Sequence, residues 1–174
     1  MKLSTLKRIP LRWRARVLRA GFNLNPAFRG TGGRVEFISR DILHVRIRLA
    51  LSRRTRNFVG SLYGGSLFAV TDGAHVIMLL ANLHRDVVIW DKAAAIRYRK
   101  PAYCTLYADF RLDPAELAHI NAELDAHHET SRRYTVELKD KAGTIYTVVE
   151  RMVYIADKAF YKQKILEKEP GEKP

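Results

Sequence analysis

Residues 66–83 carry the strongest helical pattern in the chain and hardly any charge. Leu67, Phe68, Ala69, Val70, Ala74, Val76 and Ile77 surround such a helix rather than forming a stripe, so it has to be buried on most sides. Segments of strand-like pattern flank it on both sides, and a sheet is the layer that can cover so many faces. The chain is therefore expected to be α+β, with a curled antiparallel sheet around a long central helix. With 174 residues it is long enough for one domain with a real core.

The remaining elements follow from alternation and punctuation. Arg34–Ser39 and Ile42–Leu51 read as strands, the second alternating Val45, Ile47 and Leu49 with His44, Arg46 and Arg48. Val87–Arg99 and Thr105–Leu112 read as long strands separated at Pro101. Pro114–His128 reads as a helix capped by Asp113, with Glu116 completing a capping box. Arg133–Lys139 and Thr144–Ala156 form a closing hairpin turned at Lys141-Ala142-Gly143. From Lys158 onward the segment is charged and is expected to fray. These boundaries divide the chain into a leader (1–29), the sheet-and-helix domain (30–157) and a tail (158–174).

The charge is unevenly placed. Nine lysines and arginines precede the first acid, Glu36, so most of the net charge of +13 belongs to the leader. Pro10 opens a helix in it that is expected to end at Gly21. Leu11, Ala15, Leu18 and Phe22 form one row and Arg12, Arg16 and Arg19 a basic row. Such a helix can pack on the domain with its arginines in water, or touch an anionic membrane surface peripherally. A nucleic-acid partner ranks last, because no recognisable motif or interleaved aromatic platform accompanies the charge.

The longest unbroken apolar run, Val76–Ala81, is far shorter than a membrane span, and no secretory leader is evident. The single cysteine, Cys104, provides no disulfide framework and fits a reducing, cytoplasmic compartment. No CxxC or HExxH spacing suggests a metal site, and no cofactor is expected.

One stretch carries chemistry. Residues 57–72 read NFVGSLYGGSLFAVTD: an asparagine, a glycine pair, then the central helix with one acid, Asp72. A helix start rich in glycine offers free amides to a developing oxyanion. An isolated acid on a buried helix needs a task or a partner. Asp72 is the candidate general base or nucleophile, with Gly64 and Gly65 as oxyanion donors; together they point to acyl transfer. Asn57 either orients water or a carbonyl, or closes its own loop. His75, one turn beyond Asp72, is a helper base or a core histidine. Arg97, Arg99 and Lys100 cluster at a strand end, where arginine suits phosphate.

With Asn57, Gly64-Gly65 and Asp72 in this order, YGGSLFAVTD resembles the HGG-then-Asp pattern of hotdog-fold thioesterases of the phenylacetate-pathway type. IRYRKPAYCTLYADFRL resembles the strand–turn–strand that follows their central helix. The likeness spans about residues 30–156. It implies a hotdog fold with an extra N-terminal helix, hydrolysis of acyl-CoA thioesters, and coenzyme A bound as part of the substrate. It also implies a site at a subunit interface of a homo-oligomer, a dimer or a tetramer. Pairing would also cover the open sheet edge of a half-barrel. Tyr63 stands where these enzymes have histidine; it can donate a hydrogen bond to substrate but is no base near neutral pH. The alternative is therefore a hotdog protein that binds acyl-CoA or another lipid without turnover.

Overall fold

A computed structural model describes residues 9–167. A broken helix lies against one six-stranded antiparallel sheet. The strands are β1 (Gly33–Ile38), β2 (His44–Leu49), β3 (Val87–Tyr98), β4 (Leu106–Arg111), β5 (Glu129–Lys139) and β6 (Ile145–Asp157). They pair in the order β1-β2-β4-β5-β6-β3, leaving β1 and β3 as edges. The core lies between the sheet's inner face and the helix. Val45, Ile47, Ala108, Phe110, Val136, Leu138, Val149, Val153 and Ile155 pack there with Leu67, Val70, Met78 and Leu79.

The central helix is not continuous. It is divided into α3 (Gly64–Ala69) and α4 (Ala74–Asn82). At the end of α3 the bonding tightens: Thr71 and Asp72 donate to carbonyls three residues back, at 3.2 and 3.1 Å. Gly73 then adopts φ +77°, a left-handed conformation that glycine enters without strain. By length and composition alone Gly64–Asn82 would suit a membrane span, as the core helix of a sheet-wrapped domain also does.

The described part of the leader packs on the sheet. Helix α1 (Leu11–Leu24) runs through Gly21 rather than ending there. Asn25 then stops it and caps α2 (Pro26–Gly30), accepting from the amides of Ala27 and Phe28. Leu18 and Phe28 are buried in the common core, and Asn23 clamps Val35 of β1 through both backbone groups, at 2.9 and 2.8 Å. The tail also departs from expectation. Helix α6 (Lys158–Glu167) continues from β6, held by Lys164 on Glu129 and by Tyr161 packing edge-on against Trp90. Residues 1–8 and 168–174 lie outside the described range. In α5 (Pro114–His127) Asp113 caps as expected, but Glu116 does not close a capping box, because Arg132 and Tyr134 of β5 take its carboxylate.

Strand β3 is an edge with little cover: Lys92 to Ala95 are all exposed. A bulge lies between Asp91 and Ala93, so Lys92 faces no partner residue on β6. Asp91 faces inward with Ile89, opposite Val153 and Ile155 of β6, and beyond the extra residue that face passes to Ala94 and Ile96, opposite Arg151 and Val149.

Candidate active site

Asp72 occupies the break between α3 and α4. Its side chain is 68 % exposed, and its carboxylate lies 3.5 Å from a guanidinium nitrogen of Arg151. Arg151 belongs to the inward row of β6, between Val149 and Val153, and its side chain is only 5 % exposed. Its nitrogens are divided among three elements. Nη1 pairs with Asp91 of β3, Nε donates to Thr71 Oγ1 at 3.1 Å, and Nη2 donates to the Phe68 carbonyl at 3.0 Å. The guanidinium also lies over the Phe68 ring, 5.0 Å from its centre. It thus caps the carbonyl end of α3, where a cation suits the helix dipole. Burial pushes the Asp91 carboxyl above its ordinary range. Arg151 pulls it back down, and the neighbouring Asp72 charge raises it further.

Neither Arg151 nor Asp91 was singled out from the sequence. A signal for Arg151 was present, because a cation interrupts the inward row Thr147, Val149, Val153, Ile155.

Asp72 also borders a cavity of about 470 Å³. Ala69, Gly73 and Ile77 form one wall; Leu18, Phe22, Phe28 and Thr31 of the N-terminal segment form the other. A larger hollow of about 890 Å³ lies on the outer, charged face of the sheet between Glu36, Arg46, Asp109 and Lys139. Arg46 there is already bonded to Asp109 at 2.9 and 3.0 Å, so that face reads as a solvated ion-pair surface.

The glycine pair opens α3 as expected. Tyr63 occupies the cap position without a side-chain capping bond, and the first bonded amide is that of Leu67, on the Tyr63 carbonyl at 3.1 Å. The amides of Gly64 and Gly65 therefore precede the first intrahelical bond. An added Cβ on Gly65 would stand 2.4 Å from the exposed Tyr63 ring, which would have to turn aside. Gly64 lies against Tyr98, whose hydroxyl donates to the Gly64 carbonyl at 3.1 Å. Tyr98, at the end of edge strand β3, is a further site residue that the sequence did not reveal.

Asn57 is committed to its own loop. Its carbonyl accepts from the amides of Val59 and Ser61, and its amide donates to Ser61 Oγ at 2.9 Å. Of its two sequence readings, the geometry is that of a loop clasp. Arg97, Arg99 and Lys100 are exposed at and just beyond the end of β3, with Lys100 over the Tyr146 ring at 4.6 Å. His75 is buried, stacked on Tyr134 at 4.3 Å and edge-on to Phe110 at 5.2 Å, and its Nδ1 has no hydrogen-bond partner. Burial, helped by the positive charge of Arg151, lowers its pKa to about 4, so it is a neutral core residue. Among the described residues, no cluster of histidine, cysteine and carboxylate side chains could hold a metal ion.

Gly65 and Asp72 stand seven positions apart, about 10 Å at a helical rise, at opposite ends of α3 and the break that follows it. Both ends of that span lie beside edge strand β3, through Tyr98 at Gly64 and through Asp91 at the break.

A family profile described as "Domain of unknown function (DUF4442)" matches residues 14–155. The chain belongs to the DUF4442 family. The match begins within α1, so this family includes the N-terminal helix in its domain. Solved structures share the fold. A Pseudomonas aeruginosa protein described as a probable thioesterase superposes with a TM-score of 0.71 at 19 % identity, over 81 % of this chain and 94 % of its own. A thioesterase from Haemophilus influenzae gives 0.61 at 12 %, over 82 % and 90 %. The PaaI protein of the E. coli phenylacetic acid degradation operon gives 0.57 at 14 %, over 83 % and 92 %. The comparison with curated proteins finds no match. This DUF4442 chain thus shares the hotdog fold of these structures, the fold that the YGGSLFAVTD resemblance implied.

Proposed function

We propose that this protein hydrolyses acyl-CoA thioesters as a homodimer paired along β3. The observation that carries the reading is the placement of Asp72: an exposed acid at a helix break, oriented by a buried arginine and open to an apolar cavity. In the proposed reaction Asp72 takes a proton from water as the water oxygen attacks the thioester carbonyl. The carbonyl oxygen, gaining negative charge, receives the amides of Gly64 and Gly65 from the second subunit. Collapse of the tetrahedral intermediate expels the coenzyme A thiolate. The separation of about 10 Å expected within one chain and the uncovered β3 edge support the dimer. Tyr63 and Tyr98 border the acceptor site, and Arg97, Arg99 and Lys100 at the strand end are offered to the coenzyme phosphates.

The test is thiol release over a series of acyl chain lengths. Native protein turns over at least one thioester, and Asp72→Asn reduces turnover by roughly 10²-fold or more. Equal release by both proteins would refute the assignment. Tyr63 in place of histidine favours a second reading, an acyl-CoA binder without turnover. Retention of intact acyl-CoA by native protein would select it.

A further inference from the structure

We infer that the N-terminal helices α1 and α2 wall the site that holds the acyl group, so this segment sets chain-length preference. The inference rests on the thioester reading above and adds to it the substrate class, acyl groups of medium length.

Three observations meet in the cavity beside Asp72. Its floor is the helix break itself: Gly73 turns the backbone aside, and nothing lies within 4 Å of where a Cβ on it would stand. Ala69 and Ile77 flank that opening with apolar surface. The opposite wall comes from α1 and α2, where Phe22 and Phe28 pack edge-to-face with centroids 5.3 Å apart. The wall is fixed to the sheet, because Leu18 and Phe28 are core residues and Asn23 holds Val35 at both polar atoms. Asp72 is the one charged side chain in the lining, accompanied by the polar Asn25 and Thr31.

A half-open, mainly apolar cleft with a carboxylate at its edge accommodates a chain that is apolar along its length and reactive at one end. A hydrocarbon tail lying between Phe22 and Ile77 would bring its carbonyl to Asp72. The 470 Å³ volume exceeds by more than tenfold the roughly 30 Å³ share of a water-sized group. An acetyl group would leave most of the chamber unfilled, and each added methylene gains contact and loses hydration. At the usual strength of apolar burial that is roughly fourfold in kcat/KM per methylene until the wall is reached.

Two substitutions on the N-terminal wall test this in opposite directions. Ala27→Trp fills the chamber from α2, where Ala27 is exposed and borders the cavity. Phe22→Ala enlarges it from α1. With coenzyme A thioesters of four to twelve carbons, Ala27→Trp is expected to move the kcat/KM optimum to shorter chains, and Phe22→Ala to longer ones. In each case the octanoyl-to-butyryl ratio should change by about tenfold. Thermal melts confirm that each variant is folded. Hydrolysis with an unmoved length profile in both folded variants overturns the inference and leaves the hydrolase reading standing. If no variant hydrolyses, direct binding of the same thioesters decides: length-dependent affinity shifted by the two substitutions upholds the chamber and sinks the hydrolase, and absence of binding sinks both.

Discussion

Lowering the pH should destabilise this protein through His75 before its carboxylates titrate. In the folded state the His75 pKa is lowered from 6.5 to about 4, first by burial and then by the charge of Arg151. The unfolded chain takes up the proton near 6.5, whereas the folded one resists until near 4. The stabilisation is therefore complete above 6.5 and is lost as pH falls through that window. At pH 4.5 the loss from this residue alone is about 2.5 kcal/mol, a large fraction of the stability of a domain this size. Phenylalanine at this position keeps the stack on Tyr134 and the edge contact with Phe110, and removes the unpartnered Nδ1. Urea denaturation of native protein and His75→Phe, at equal concentration and at steps from pH 7.5 to 4.5, gives the comparison. The native curve should fall relative to the variant by about 2.5 kcal/mol. Side chains such as Glu116, Asp109 and Glu129, whose pKa values are lowered by their hydrogen-bond and ion-pair partners, lose their contributions further down, and equally in both proteins. Parallel curves would show that the imidazole is not held neutral, and the burial argument would be wrong.

Arg151→Met should cost about 3 kcal/mol in chemical denaturation, because Asp91 is left without its cation, and the double variant Arg151→Met/Asp91→Leu should regain more than half of it; an additive pair would refute the shared site. Gly73→Ala should lower stability by about 1–2 kcal/mol from backbone strain alone, since φ is +77° and no atom crowds the new Cβ. An unchanged melting temperature would contradict the helix break. Ala94→Glu on the exposed edge should convert a dimer to a monomer in light scattering and abolish thiol release, because the glycine amides would then lie out of reach. A fully active monomer would refute the shared site.

The parts of the fold that depend on local pattern were readable in the chain. The alternation in β2, the closing hairpin with its Lys141–Gly143 turn, the Asp113 cap and the uncharged central helix all lie close to where local pattern places them. Asp72 stood out because one acid interrupts an apolar helix. What was not readable depends on distant contacts. The reversal of β3 beyond Asp91 comes from a bulge at Lys92, which nothing in the local residues announces. The apolar row of α1 is visible, yet only docking on β1 shows that Leu18 enters the core and Phe22 lines the cavity that Asp72 borders. Arg151 was available to a stricter reading of its strand. Composition does not disclose the helix over 158–167, since Tyr161 and Lys164 find partners on β3 and β5.

A single guanidinium fastens the edge strand, the Phe68 carbonyl near the end of α3 and the acid at the cavity mouth. These three parts cannot drift independently, since moving one draws the others through the same planar fork. Any event that tugs on β3, including the seating of another copy beside it, is mechanically geared to the direction in which Asp72 points.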